Sequence, residues 1–279
     1  MLKRILWMAA LMVLVAASLT GAGCSSGNAL ADMVAKVPGD TMSFKYVDVA
    51  GLRGDDDLSE IYDAWKAAVD ARLEAHGITS GDVNVFVFGT GTGMRYTLLK
   101  GGFDLDQVRD RLEDRGFDDG EYKGVEIWEP EDGSGYDSDP RVALMDDLII
   151  LGDESGVEGC IKVMKEGDTS FLKKVDIKEV VDRTPAGLYV DLEKNVLAGL
   201  IVKGFEAYGL SAQKEDSDTL DIAGVAKFED DDDAEDGADA IDNMLKAVFE
   251  DVDVSQDGDF LTAAAELDID RSGFLFNGL

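Results

Sequence analysis

Ser43-Phe44-Lys45-Tyr46-Val47-Asp48-Val49 alternates apolar and polar side chains, the pattern of a half-buried strand. Its centre returns in Gly187-Leu188-Tyr189-Val190-Asp191-Leu192, where Tyr-Val-Asp recurs with Leu192 in place of Val49. A helical apolar stripe follows each copy: Leu58, Ile61, Tyr62, Trp65, Val69 and Leu73 after the first, and Leu197, Leu200, Ile201, Phe205 and Tyr208 after the second. Each stripe leads into two strands. These are residues 83–88 and 94–100 around Gly89-Thr90-Gly91-Thr92-Gly93, and residues 211–216 and 219–228 around Ser217-Asp218. A second helix follows each pair, over 104–115 and over 234–249, the latter with Ile241, Met244, Leu245 and Val248 inward. Each unit then closes on an Asp-Gly turn, Asp119-Gly120 or Asp257-Gly258, and an alternating strand. The order predicts an α+β fold of two tandem strand-helix-strand-strand-helix-strand units with mostly antiparallel sheets.

The first unit spans residues 30–182 and carries extra elements; the second spans 183–279. The extras are a hairpin across Asp146-Asp147, a helix with Val157, Cys160, Ile161 and Met164 on one face, and a short helical stretch over 172–181. An acidic Gly, Pro and Ser-containing stretch, 129–140, reads as an exposed loop. Ahead of the first unit, Leu30, Met33, Val34 and Val37 have helical spacing and stop at Pro38-Gly39.

Composition bounds the chemistry. The 279 residues carry 59 acids against 26 bases, a formal net charge of −33, yet 45% are hydrophobic, enough for a folded core. That charge excludes nucleic acid as a partner, since phosphates require Lys and Arg, and opposes lying flat on an anionic membrane. One His and two Cys exclude poly-His metal sites, a four-cysteine zinc site and a disulfide framework.

The N-terminus reads as an address. Lys3 and Arg4 precede an apolar run, residues 5–19, shorter than the roughly 20 residues that span a bilayer. Gly21-Ala22-Gly23-Cys24 follows and resembles the lipobox of bacterial lipoproteins, with Gly21 where that family usually has Leu. The resemblance covers these first two dozen residues. It implies a signal peptide over 1–23, an acylated Cys24 as the mature N-terminus, and a tether over 24–29 that begins Ser25-Ser26-Gly27-Asn28. Cleavage after Ala22 and plain secretion is the rival reading.

No catalytic motif is complete. Gly89–Gly93 lacks the helix and Lys of a phosphate loop and reads as a hairpin. Asp253, Ser255 and Asp257, with Gly258, imitate the opening of an EF-hand loop, but Ala264 stands where the bidentate Glu belongs, leaving those three as weak metal candidates. Glu229-Asp230-Asp231-Asp232-Asp233 reads as a solvated acidic run at a helix start. Ser170-Phe171-Leu172-Lys173 matches S-x-x-K without its partner motifs and reads as a capped short helix. His76 reads as a cation at a helix C-terminus, and Cys160 as a buried, inert thiol. The expectation is a lipid-anchored, non-catalytic extracytoplasmic protein without a cofactor, binding a small ligand in the cleft between its halves or interacting by its surface with an envelope protein. A cation-assisted hydrolase using carboxylates is the alternative.

Overall fold

The computed structural model describes residues 26–130, 141–194 and 202–276. The signal peptide, Cys24, most of the acidic loop, and Leu197, Leu200 and Ile201 lie outside the described residues.

One sheet of twelve strands organises the chain, and it overturns the expectation of two small units with separate sheets. The strands are β1 (Thr41–Asp48), β2 (Val83–Gly91), β3 (Met94–Gly101), β4 (Phe117–Tyr122), β5 (Val125–Pro130) and β6 (Arg141–Met145). They continue with β7 (Leu148–Gly152), β8 (Tyr189–Lys194), β9 (Phe205–Lys214), β10 (Thr219–Phe228), β11 (Glu250–Asp257) and β12 (Phe260–Asp268). Their order is β11-β12-β10-β9-β8-β1-β2-β3-β7-β6-β5-β4, antiparallel at every junction.

The two Tyr-Val-Asp segments explain the continuity. β1 and β8 pair with each other, Tyr46 opposite Val190 and Val47 opposite Tyr189. In separate units each would be an edge strand with unpaired backbone N–H and C=O groups; joined, they satisfy one another. The matching letters do not play matching roles. Tyr46 packs on one face of the sheet and Tyr189 on the other. Asp48 accepts the Gly51 N–H at 2.9 Å as a helix N-cap, whereas Asp191 lies within the sheet. The hairpin of the first unit is no appendage either: β7 pairs with β3 and β6 with β5, so the two strands carry the sheet onward.

Helices cover both faces. On the first face, α2 (Val49–Arg53), α3 (Ser59–Glu74) and α4 (Leu105–Asp114) bury Leu52, Trp65, Val69, Leu73, Val108 and Leu112 against Val47, Phe86, Leu99 and Leu151. On the second face, α1 (Ser26–Val34), α5 (Glu154–Glu166) and α6 (Val175–Arg183) bury Met33, Val34, Cys160, Ile161 and Ile177 against Phe44, Tyr46, Val87 and Leu98. Full burial of each such side chain stabilises by roughly 1.5–3 kcal/mol. The α1 stripe is as expected, but the helix begins at Ser26, inside the stretch read as tether.

Three local readings change. Phe205 and Tyr208 open β9 rather than extending a helix: Gly204 turns the chain there at φ +70°. In α7 (Asp231–Lys246) and just beyond it, Met244 and Val248 are 46% and 39% exposed instead of inward. The turn after β4 falls on Lys123-Gly124, both at positive φ, and Asp119-Gly120 stays in the strand. Of the C-terminal pair, Leu275 is buried, and Phe274 faces out beside Phe249.

The Gly89–Gly93 run serves packing. Gly93, at φ +69°, makes the turn. Gly89 lies opposite Tyr96, whose ring would stand 2.2 Å from a Cβ at Gly89. The Tyr96 hydroxyl is fixed 2.7 Å from Thr41 Oγ1. Gly89→Ala is therefore expected to cost about 1–3 kcal/mol by overpacking. A urea titration checks this, and an unchanged midpoint would show that the ring swings aside freely.

The sheet's outer strands are acidic. β4 carries Asp118, Asp119 and Glu121, and β11 carries Glu250, Asp251, Asp253 and Asp257.

Candidate functional site

α3 carries Arg72 in its last turn and His76 follows just past the helix end, both over the sheet floor formed by Phe88 of β2, Arg95 and Thr97 of β3, and Leu151 of β7. The alternation of β3 sends Arg95, Thr97 and Leu99 to this face together. Arg115 and Phe117, between α4 and β4, close one side, and Asp153 and Gly152 the other. The result is a cavity of about 260 Å³, half open, with three guanidiniums in its wall.

Arg72 is the unusual member. Its guanidinium donates to Thr97 Oγ1 at 3.0 Å and lies 6.0 Å from the centre of the Phe88 ring. It makes no ion pair among the described residues, although the chain holds 59 acids. Arg109, by contrast, grips Glu126 with two bonds of 2.9 Å, and Arg141, Arg183 and Arg271 each have a carboxylate. Burial, and then repulsion from Arg95, push the Arg72 guanidinium below the ordinary arginine range. Asp153 also lines the wall, its oxygens turned to backbone N–H groups. One oxygen accepts the Arg95 backbone N–H and the other the Gly156 N–H, each at 2.7 Å, the latter capping α5. Arg115 donates to the Ala75 carbonyl at the end of α3.

His76 differs from the sequence expectation. It is buried, with Nδ1 2.8 Å from the Arg72 carbonyl oxygen, and its ring stands edge-on to Phe117. Burial, reinforced by the charges of Arg115 and Arg72 and opposed by the hydrogen bond to the Arg72 carbonyl, holds the imidazole below its usual range.

A second polar feature shares this face. A row of directly paired residues crosses the central strands: Asp191, Lys45, Phe88, Thr97 and Leu151. Asp191 accepts the Tyr189 hydroxyl at 3.3 Å, and its other oxygen is buried without a hydrogen bond. Burial, with repulsion from Glu193, pushes this carboxyl up to about 7 despite Lys45 alongside.

The residues singled out in the sequence are not brought together. Asp253, Ser255 and Asp257 lie along edge strand β11. Ser255 Oγ meets Thr262 Oγ1 at 2.8 Å, and Asp257 pairs with Arg183 at 2.8 Å. Among the described residues, no group of three or more His, Cys, Asp or Glu is arranged to hold a metal ion. Ser170 is buried, and Lys173 turns away to the Gly167 carbonyl at 3.2 Å. Cys160 is buried and its thiol is pushed far up by desolvation. Asp233 from the acidic run is buried against Lys203. The halves share one continuous sheet, so their junction is a strand pair and not a cleft.

The fold and cavity together define a broad antiparallel sheet, clad by helices, that presents a cationic pocket on an acidic molecule. No family model matches the chain. It is 25% identical to the uncharacterized protein MJ0635 of Methanocaldococcus jannaschii over 282 residues, 92% of this chain and 93% of that protein. Crystal form I of TP0453 shares the fold, with a TM-score of 0.54 at 11% identity over 87% of this chain and 95% of that one.

Proposed function

We propose that this chain is an extracytoplasmic protein, anchored through lipid on Cys24, that binds a small oxyanion in the arginine pocket without transforming it. The observation that carries the binding role is Arg72: a desolvated guanidinium facing a cavity with no carboxylate partner among the described residues. Burying an unpaired charge costs several kcal/mol, which a bound anion offsets. Guanidiniums suit this task because their planar fork matches a carboxylate or phosphate with two parallel bonds. The same wall also concentrates positive charge where the rest of the molecule repels anions.

Support for the anchor comes from the residue order ahead of α1: a basic start, an apolar run, small residues and then Cys24. Two acyl chains hold a protein stably where one does not. Native mass spectrometry of the chain extracted gently from its own cells tests both halves of the reading. The expected species begins at Cys24, carries a diacylglycerol-sized addition and retains a small acid. A chain beginning at Gly23 without lipid removes the anchor. Anion-free protein that also fails to take up added anions removes the binding role.

A further inference from the structure

Resting on that anion-binding reading, we infer that the pocket takes a small organic acid: an oxyanion head between Arg72 and Arg95, on a compact apolar body. The walls divide by chemistry. The guanidiniums of Arg72 and Arg95 form a cationic patch over Thr97, and Phe88, Phe117 and Leu151 supply an apolar side. Phe117 and Leu151 belong to the buried core of this face, and Phe88 packs against it, so these walls are fixed in place. The one carboxylate in the lining, Asp153, accepts backbone N–H groups on both oxygens and pairs with neither Arg72 nor Arg95 among the described residues.

Size and polarity narrow the class. A cavity of about 260 Å³ has room for roughly nine waters, far more than a bare inorganic anion displaces. An inorganic anion would leave the aromatic side wet, whereas an apolar body would dry it and strengthen the charge contacts beside it. Arg72 already spends one nitrogen on Thr97 and lies toward the Phe88 ring. A planar carboxylate can therefore share the remaining donors of Arg72 with Arg95 while its body lies along Phe88 and Phe117.

Titration calorimetry on the intact purified chain, with benzoate, acetate, inorganic phosphate and neutral benzamide as probes, tests this. Benzoate is expected to bind at least tenfold more tightly than acetate or phosphate, and benzamide at least tenfold more weakly than benzoate. Acetate or phosphate binding as tightly as benzoate overturns the organic-acid inference and leaves the anion-binding reading standing. Benzamide matching benzoate, or no probe binding at all, overturns both.

Discussion

Arg72→Met is expected to make the protein more stable while sharply weakening oxyanion binding. Methionine keeps the length and the apolar stem against Phe88 and removes a charge whose one polar partner among the described residues is Thr97. Relief of that desolvated charge, and of its repulsion from Arg95, should stabilise the ligand-free protein by about 1–2 kcal/mol. Losing a charge-assisted, forked contact should weaken anion binding by roughly 100-fold. The two changes run in opposite directions, which separates a ligand-holding arginine from a structural one. Thermal unfolding and benzoate calorimetry on the same variant decide the matter. A lower melting temperature would make Arg72 a structural residue, and unchanged affinity would place the anion elsewhere.

The second large effect concerns pH. An aspartate in the unfolded chain titrates near 4, whereas Asp191 in the folded protein titrates at about 7. Between those values the folded state holds a proton that the unfolded state has released. The contribution of Asp191 to stability therefore falls as pH rises from about 4 to 7. The cause is burial first and Glu193 second, with Lys45 opposing. Three pH units correspond to about 4 kcal/mol, and partial solvent screening reduces this to roughly 2–4 kcal/mol. Asp191→Asn should match the parent at pH 3, where the carboxyl is neutral in both the folded and the unfolded chain, and exceed it at pH 8 by that amount. Urea titrations at both values provide the check; equal stability at pH 8 would mean that the ionised carboxylate is solvated or paired in the folded state.

Much of the scaffold was legible because strands and amphipathic helices announce themselves by period. The alternation of residues 43–49, the Trp65 stripe and the Asp146-Asp147 hairpin all became the elements expected of them. Pairing was not legible. Tyr-Val-Asp marked two strands, but nothing local says that they join, or that a one-residue offset puts the two tyrosines on opposite faces. Phe205 and Tyr208 fit a helical stripe and a strand about equally, and the turn at Gly204 decided between them. The pocket left a fainter trace. Arg72 and His76 stand four apart, in the last turn and just past the end of a helix whose other side is apolar, which suggests a shared polar edge. Which arginines lack a carboxylate is a property of tertiary contacts, and 59 acids give no hint of it.

The acidic outer strands bear on how copies of this protein coexist. A sheet this wide ends in two unpaired ladders that could template strand-to-strand polymerisation. Asp118, Asp119 and Glu121 at one margin, and Glu250, Asp251, Asp253 and Asp257 at the other, oppose like charge to like whenever two margins meet. Like charges repel across such an encounter, so the carboxylates that give the chain its negative charge also oppose the joining of neighbouring sheets.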